Sequence, residues 1–369
     1  QSNSMEIDNN KVVSALSAVM DPATGQDIIS RRMISELHIK GNQVQFKLAT
    51  ADLPEAQKSS LNFACMEAIQ AVYPEAEVHI HMERREQEAG KQSPLPHVKN
   101  IIAVASGKGG VGKSTIAVNL ALGLQKLGFS TGLLDADLYG PSAPTMLGLQ
   151  GQKPKVQVVH GSHKIVPLEA FGMPVMSIGF VVEPEQAVVL RGPRLAGILK
   201  QFLGDTLWPA LDYLIIDLPP GTGDIQLTLV QTVPLTGAIL VTTPQELAVV
   251  DAVKAMNMFM LDSLNVPILG VVENMSWFTP AELPDNKYFL FGSGGGQKLA
   301  ALGNTRLLAQ IPLVQSVREH GDNGQPAVLD ADTGGLQERF IDLARALHEQ
   351  TLLRNEEMAP TRIVEIKEG

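Results

Sequence analysis

Cysteine is almost absent from this chain of 369 residues, in which Cys65 is the single thiol. One cysteine excludes a framework of disulfide bonds within the chain. Such scarcity is typical of proteins that work in a reducing compartment. We therefore expect a cytoplasmic protein.

Long apolar runs and excess positive charge are absent as well. No run approaches the roughly 18 apolar residues that a membrane-spanning helix needs, and the sequence shows no signal-peptide pattern. The formal net charge is −10 at pH 7, which disfavours nonspecific binding to nucleic acid. We expect neither a membrane nor nucleic acid among the partners.

Residues 6–83 have the pattern of a small α+β domain. The spacing of apolar residues predicts one helix near the start and a second over 55–72, whose apolar face includes Cys65. Between them, residues 33–50 alternate apolar and polar side chains around a Gly-Asn turn, as hairpin strands do. Residues 76–82 are predicted to form a closing strand, which gives the order helix, two strands, helix, strand.

A polar segment separates this domain from a larger one. Residues 84–98 are charged and contain two prolines, which is typical of a linker. Residues 99–350 alternate helical segments with apolar runs, and residues 351–369 form a tail. Such runs are typical of strands buried on both faces of a parallel sheet that helices cover. The predicted strands are NIIAVAS, TGLLDAD, YLIIDLP, GAILVTTP, ILGVVENM and RLLAQIP.

A glycine-rich segment directly after the first of these strands has the spacing of a phosphate-binding loop. Residues 107–114, GKGGVGKS, fit the pattern G-x-x-x-x-G-K-[ST] and precede a helical run. Glycines allow backbone N–H groups to converge on phosphates, and the following helix adds its positive N-terminal end. Lys113 is expected to reach the β- and γ-phosphates, Ser114 to bind Mg²⁺ and Thr115 to contact the α-phosphate. The predicted nucleotide-binding residues of this segment are Gly107, Gly109, Gly110, Val111, Gly112, Lys113, Ser114 and Thr115.

The same glycines also spell G-x-G-x-x-G, the fingerprint of a dinucleotide-binding turn, with Asp135 as a possible acidic partner. A lysine–serine pair has no role in that fold, and Asp217 at the end of another apolar strand supplies the second element of a Mg²⁺–nucleotide site. The P-loop interpretation is therefore favoured over a dinucleotide site and over a plain strand–helix turn. The predicted fold class is α/β, a parallel-sheet P-loop NTPase domain after the small α+β domain, with ATP and Mg²⁺ as ligands.

Three aspartates end neighbouring predicted strands, where the ligands of parallel sheets bind. Asp217 is expected to hold Mg²⁺ through water, with Asp135 as a second metal-associated carboxylate. Asp137 is favoured as the residue that orients the attacking water, and Asp135 is the alternative. A lone aspartate at such a position would be interpreted as a solvated or helix-capping residue, but three around one phosphate loop favour a functional role.

The segment KGGVGKST resembles the deviant Walker A loop of the MinD/ParA/nitrogenase-iron-protein class. In that class the early lysine reaches the nucleotide of the partner subunit, so the resemblance implies that Lys108 acts in trans within a homodimer. There it would stabilise transition-state charge as an arginine finger does. The alternative is a solvated loop lysine. The resemblance implies a slow ATPase in which Lys108, Lys113 and Asp137 are catalytic.

Longer segments narrow the resemblance to the Mrp/ApbC branch of that class. They are LLDADLYGPSAPTMLG, the stretch from LRGPR to DIQLT, and VVENMSWF with FGSGGGQKLA. The leading domain is similar to the small domain of iron–sulfur assembly factors, and together the resemblance covers nearly everything from residue 8 to 368. It implies ATP-dependent assembly of iron–sulfur clusters or their transfer, with assembly proteins or client apoproteins as partners.

The resemblance also assigns roles outside the phosphate loop. Asn274 is expected to bind the adenine edge, and residues 311–313, with Pro312 at the centre, are expected to flank the base. Residues 221–223 would form a switch-like loop that senses the γ-phosphate. The glycines of 292–296 are interpreted as a helix-entry loop or as a second anion nest.

The chain departs from the Mrp pattern at two places. The family usually has an apolar residue at position 194, so Arg191 and Arg194 are interpreted either as phosphate or interface ligands or as a surface pair. The C-x-x-C pair that Mrp-type carriers place after the ENMS strand is also missing here. Cluster iron prefers thiolates, whereas Glu282 and Asp285 offer only hard oxygen ligands.

An iron–sulfur cluster is therefore a doubtful cofactor for this chain alone. Cys65 is expected in the core of its domain rather than as a ligand. Two alternatives to an assembly ATPase stay open: a nucleotide-gated positioning switch of the MinD/ParA kind, and a dimeric interaction protein that uses ATP as a structural clamp. The missing membrane helix and basic patch disfavour the switch.

Overall fold

The structure is a computed structural model that describes residues 7–22, 24–30, 33–50, 53–83, 95–182, 192–331 and 334–358. Contacts divide the chain into two compact units, Gln1–Lys91 and Gln92–Gly369. Most of the predicted linker lies outside the described residues. At its described end, Leu95 is 4% exposed and packs in the core of the large unit. The bounds of the domains and of the linker stay a prediction.

The small unit is a three-stranded sheet with two helices, in the predicted order. Its elements are α1 (Asn9–Leu16), β1 (Ile34–Lys40), β2 (Gln43–Ala49), α2 (Glu55–Val72) and β3 (Glu77–Glu83). Strand β2 is central, antiparallel to β1 and parallel to β3. The Asp8 side chain accepts hydrogen bonds from the backbone amides of Asn10 and Lys11 in the first turn of α1 and so caps that helix. Phe46, Cys65 and Ile69 are fully buried in its core.

The described residues of the large unit form an eight-stranded sheet, a separate two-stranded hairpin and the helices that cover the sheet. Its strands are β4 (Val98–Ala105), β5 (Thr131–Asp135), β6 (Lys155–Val159), β7 (Ser162–Val166), β8 (Leu168–Ala170), β9 (Met173–Ser177), β10 (Leu211–Asp217), β11 (Gly237–Thr242), β12 (Ile268–Phe278) and β13 (Leu307–Leu313). Its helices are α3 (Lys113–Lys126), α4 (Ala143–Met146), α5 (Gly192–Asp205), α6 (Asp224–Thr232), α7 (Glu246–Phe259), α8 (Gly295–Leu302), α9 (Gln315–Asp322) and α10 (Leu336–Glu357). Two 3₁₀ turns cover Ile178–Phe180 and Ala327–Leu329.

The strand order β13-β12-β11-β4-β10-β5-β9-β8 brings the predicted strands together. All six are present and pair in parallel, as the sequence predicts. Strand β10 lies between β4 and β5, and Asp217 is the direct partner of Asp135. Because the carboxyl ends of parallel strands share one edge, the polar clusters after β4, β5, β10 and β12 meet there.

Strands β6 to β9 were not predicted. Strands β6 and β7 form a separate two-stranded hairpin, and β8 is an antiparallel edge strand. In β6, Val156 and Val158 are 62% and 65% exposed, so this hairpin lacks the buried apolar run that marks the central strands.

The last helix extends beyond the predicted domain end at residue 350. It continues to Glu357 because Thr351 and Arg354 still pack into the unit, at 0% and 7% exposure. The described helices include none with the length and apolarity that a membrane span requires.

Candidate nucleotide-binding site

The loop between β4 and α3 has a backbone that only glycine tolerates at several positions. Gly110 and Gly112 both have φ of 80°, in the left-handed region that disfavours residues with a Cβ. A Cβ on Gly107 would lie 2.0 Å from the carbonyl carbon of Asp251, so α7 packs directly against the loop. The loop and the first turn of α3 contain the predicted phosphate-contacting residues, from Gly107 through Gly109 and Val111 to Thr115.

Lys113 is buried among carboxylates at the start of α3. It is 6% exposed, and its Nζ donates to Asp217 Oδ1 and, at 3.4 Å, to Asp137 Oδ2. The Ser114 hydroxyl lies 3.4 Å from the same Nζ. The structure therefore brings together four side chains that the sequence predicted for phosphate, metal and water contacts.

Burial has the largest effect on the pKa values of two aspartates at this edge, Asp217 and Asp135. It raises the pKa of Asp217, which is 2% exposed, while Lys113 and a hydrogen bond from Ser114 oppose the rise. Burial also raises the pKa of Asp135 to about 7, and the charge of Asp217 adds to that rise. A cationic ligand or added hydrogen-bond donors would favour the ionised forms of both.

Asp135 differs from Asp217 in its hydrogen-bond partners. Its Oδ1 accepts from the amide of Asp137 at 3.1 Å. Its Oδ2 accepts from the amide of Ala143 and from the hydroxyl of Ser177, both at 3.1 Å. Sequence reasoning missed Ser177 because the strand that carries it, β9, was not recognised as a strand.

Hard oxygen donors that suit Mg²⁺ lie beside Lys113. The Ser114 hydroxyl and the Asp217 carboxylate both lie next to the Lys113 ammonium, whereas both oxygens of Asp135 already accept hydrogen bonds from the protein. The donor set therefore fits Mg²⁺ at Ser114 and Asp217.

Lys108 lies in the same loop but has a different environment. Its backbone carbonyl accepts from the hydroxyl of Ser106 at 2.9 Å, and its side chain is half-buried. Within the described ranges, its ammonium has no hydrogen-bond or ion-pair partner. Ser106, which sequence reasoning did not single out, also accepts at its carbonyl from the amide of Gly221 at 2.9 Å. This residue therefore links the phosphate loop to the predicted switch-like loop 221–223.

The predicted adenine-binding residues lie on β12 and β13, at one end of the sheet. Asn274 of β12 pairs in register with Ile311 of β13, and Pro312 follows in the same strand. The Asn274 side chain is 7% exposed, and its Nδ2 donates to the carbonyl of Val111 at 2.9 Å. The structure thus joins Asn274 to the phosphate loop, and its adenine contact stays a prediction.

The glycine cluster 292–296 leads into α8, as the helix-entry interpretation expects. The amide of Gly296 donates to Oε2 of Glu273 at 2.6 Å, and Glu273 is 1% exposed. The second oxygen of Glu273 accepts from Gln310 Nε2 at 3.0 Å. A carboxylate of the protein therefore occupies the position where an anion nest would hold a ligand, a role of Glu273 that sequence reasoning missed.

The other residues that the sequence singled out are exposed, buried within the small unit or outside the described residues. Arg191 is outside the described residues, and Arg194 is exposed on α5. Glu282 and Asp285 are exposed after β12. Cys65 is fully buried, and burial raises the pKa of its thiol to about 12.

Comparison with known families supports the interpretation of both units. Residues 97–348 match the family of NUBPL iron-transfer P-loop NTPases. Residues 9–80 match the iron–sulfur cluster assembly protein family. The resemblance inferred from the motifs is confirmed.

Several similar proteins are named iron–sulfur cluster carrier proteins. The chain is 44% identical over 340 residues to an iron–sulfur cluster carrier protein from Synechocystis sp., covering 91% of this chain and 96% of the relative. It is 42% identical over 359 residues to an iron–sulfur cluster carrier protein from Deinococcus radiodurans, covering 96% and 99%. A third such protein, from Escherichia coli K12, is 52% identical over 238 residues, covering 64% and 63%.

Solved structures confirm the α/β P-loop fold. A nucleotide-binding protein from Archaeoglobus fulgidus, in complex with ADP, is 37% identical and superposes with a TM-score of 0.56 over 65% of this chain and 92% of its own. The cell-division ATPase MinD of Pyrococcus furiosus shares the fold at 22% identity, with a TM-score of 0.50 over 68% and 98%. From its matched residues, its relatives and its phosphate loop, the chain belongs to the family of NUBPL iron-transfer P-loop NTPases, with an N-terminal unit of the iron–sulfur cluster assembly family.

Proposed function

We propose that the chain binds and hydrolyses ATP. The observation that carries this proposal is the buried cluster in which Lys113 contacts Asp137 and Asp217 at the carboxyl edge of the sheet. A P-loop lysine beside a strand-end aspartate is the arrangement that phosphoryl-transfer sites use for positioning and charge stabilisation.

Each residue of the cluster has a distinct role in this proposal. Lys113 binds the β- and γ-phosphates, and the amides after Gly109 surround them. Ser114 and Asp217 hold Mg²⁺, which supplies positive charge against the phosphate oxygens. Asp137, whose carboxylate faces Lys113, orients the attacking water. Outside the cluster, Asn274 binds the adenine edge and Pro312 flanks the base.

We propose further that two copies form a homodimer around their nucleotides. Lys108 has no partner among the described residues, although its backbone is fixed by Ser106. A lysine held in this way can extend to the nucleotide of a second subunit. It would then stabilise charge that develops in the transition state more than it stabilises bound ATP.

Replacing the trans-acting lysine tests this proposal. Lys108→Ala should keep affinity for a fluorescent ATP analogue but lower phosphate release by about 10²-fold or more, the scale of one lost charge-stabilising donor. Lys126→Ala, which removes an exposed lysine at the far end of α3, is the matched control and should leave both unchanged. If affinity falls together with turnover, Lys108 is an ordinary ligand in cis and the dimer proposal fails.

The cellular role that we propose is iron–sulfur cluster assembly or transfer. The support is the iron–sulfur carrier naming of the relatives and the assembly-family match of the small unit. The single thiol is buried in the small unit, so a partner must supply thiolates to any cluster. Assembly proteins or client apoproteins are the partners that fit this requirement.

Anaerobic reconstitution tests the cargo part of the proposal. The purified protein should form little stable iron–sulfur chromophore, and Cys65→Ser should give the same visible spectrum because the thiol is inaccessible. A chromophore of about one cluster per dimer that disappears in Cys65→Ser would make Cys65 a cluster ligand and would overturn this part.

The buried thiol also favours one alternative function, a nucleotide-gated dimeric switch without cluster cargo. The two functions differ when an apoprotein and a cluster donor are added together. Acceleration of cluster transfer by this chain with ATP supports the assembly function, whereas no effect on transfer favours the switch.

A further inference from the structure

Asp135 is a buried carboxylate of the site whose hydrogen-bond partners suggest a role other than metal binding. It is 0% exposed, and its two oxygens together accept three hydrogen bonds of 3.1 Å. A carboxylate has about four acceptor sites, so protein donors already use three of those of Asp135 and leave little capacity for a metal.

Two of these donors come from the two ends of one loop. The loop comprises residues 137–142. Its first residue, Asp137, supplies one donor amide, and Ala143, directly after the loop, supplies the other. One carboxylate therefore holds the loop at both ends. Inside the loop, Asp137 Oδ1 accepts from the amide of Tyr139 at 3.2 Å, and its Oδ2 faces Lys113 at 3.4 Å. The direction of the Asp137 carboxylate thus depends on the loop that Asp135 holds.

The third donor connects this loop to the neighbouring strand. Ser177 ends β9 opposite Asp135, is 0% exposed, and accepts at its hydroxyl from the amide of Gly179 at 3.0 Å. A Cβ on Gly179 would lie 2.9 Å from Pro141, so the 3₁₀ turn after Ser177 packs against the same loop. The Ser177 hydroxyl therefore links two groups that contact the loop. They are the carboxylate of Asp135 and the 3₁₀ turn.

We propose that Asp135 and Ser177 are positioning residues, which hold loop 137–142 so that Asp137 faces Lys113, and that Asp135 is not a ligand of Mg²⁺. This inference rests on the proposed ATPase function for its kinetic consequence. Its structural consequence, protection of the loop amides, does not depend on hydrolysis.

Two substitutions separate positioning from metal binding. Asp135→Asn keeps the shape, but one of its two terminal atoms becomes a donor, so at least one of the three hydrogen bonds is lost. Ser177→Ala removes the hydroxyl and leaves Asp135 intact. A small displacement of a catalytic group can cost about 10²-fold in rate, so kcat should fall by that scale in Asp135→Asn and by less in Ser177→Ala. The KM for ATP and the Mg²⁺ concentration for half-maximal rate should stay at their wild-type values.

Thr236→Val is the matched control for loss of a buried hydroxyl. Thr236 is 8% exposed, and its hydroxyl accepts from the amide of Ile101 at 2.9 Å, before β11 and away from the phosphate edge. This variant should lose stability as Ser177→Ala does but keep the wild-type kcat.

Hydrogen exchange on the nucleotide-free protein gives a readout that needs no catalysis. A peptide that covers residues 136–147 should exchange faster in Asp135→Asn and Ser177→Ala than in wild type. In Asp135→Asn the amides of Asp137 and Ala143 lose a carboxylate acceptor, and in Ser177→Ala that carboxylate loses the hydrogen bond from the hydroxyl. Thr236→Val should match the wild type in this peptide.

The outcomes distinguish this inference from the ATPase proposal. A rise of about tenfold or more in the Mg²⁺ requirement of Asp135→Asn, the scale of a lost group in or next to a metal's ligand shell, would give Asp135 a part in metal binding and overturn the inference. Unchanged exchange of the 136–147 peptide in both variants would also overturn it. Absence of hydrolysis in the wild type would instead refute the proposed function, and the exchange result would still decide the positioning role. Should Asp135→Asn fail to fold, Ser177→Ala and its control carry the test.

Discussion

Two glycine-rich loops enter helices at the same sheet, and they differ in what occupies the helix N-terminus. Before α3, the loop ends at Gly112 with φ of 80°; before α8, it ends at Gly294 with φ of 81°. At α8 the buried carboxylate of Glu273 accepts from the amide of Gly296. At α3, none of the amides of the described residues 109–113 donates to a carboxylate, and the first residue of the helix is Lys113.

The comparison shows that a glycine loop alone does not define an anion site. Both loops offer left-handed glycines and the positive end of a helix dipole. In α8 that potential stabilises an internal carboxylate and so holds α8 to β12. In α3 it remains available for a ligand, because the nearby carboxylates contact Lys113 rather than the loop amides. The first two predictions below test this distinction, and the third compares two aspartates at opposite ends of β10.

The largest effect is expected for the lysine of the first loop. Lys113→Met should lower ATP hydrolysis by about 10³-fold, because the variant loses the cation that meets the phosphates. Titration of a fluorescent ATP analogue and measurement of phosphate release check this. The matched variant in the second loop is Lys298→Met, whose lysine pairs at 2.7 Å with Glu246 while both side chains are more than half exposed. Such a surface pair contributes little, so activity should not change. Equal losses in the two variants would contradict the distinction between the loops.

The second prediction concerns the internal anion of the α8 loop. Glu273→Gln keeps the volume but leaves one acceptor for two donors, the amide of Gly296 and Gln310 Nε2. The free energy of unfolding of the large unit should fall by about 2 kcal/mol, the scale of a buried hydrogen bond to a charged group. Denaturant titration measures this, with Glu246→Gln as the exposed control. A stability equal to that of the wild type would mean that Glu273 does not hold α8.

The smallest effect is expected for an aspartate whose donors are exposed. Asp212, near the start of β10, has its pKa lowered to about 2 by hydrogen bonds from Lys99 and Ser130, whereas burial raises the pKa of Asp217 at the other end of that strand. Because the folded pKa of Asp212 lies below the unfolded value of 3.8, its stabilising effect is present above about pH 4 and is lost as the pH falls toward 2.

Asp212→Asn should therefore lower the free energy of unfolding by about 1 kcal/mol at pH 7, after allowance for solvent screening. The difference from wild type should shrink between pH 4 and pH 2. Denaturant unfolding of both proteins over this range measures it. A difference that stays constant down to pH 2 would show that the donors do not act through the charge of Asp212.

The sequence predicted the features that depend on neighbouring residues. The six central strands follow from apolar runs, and the phosphate loop follows from glycines and a Lys-Ser pair at fixed spacing. Strands β6 to β8 escaped prediction because they are short and partly exposed. Strand β9 is buried, but Pro174 lies within its five residues, and proline is unusual inside a strand. Ser177 and Glu273 escaped because their partners, Asp135 and Gly296, lie 42 and 23 residues away in the chain.

The sequence by itself determined the left-handed positions at Gly110 and Gly112 and the place of Lys113, since these depend on backbone sterics and on spacing within one loop. Only the tertiary structure decided which aspartate faces that lysine. Asp135 and Asp217 both end buried apolar strands, and from the sequence both were expected near the metal. Strand β9 and helix α4 bring hydrogen-bond donors to Asp135, whereas Asp217 meets Lys113 across the sheet edge. A carboxylate's role follows from the donors and charges around it, and here those come from distant parts of the chain.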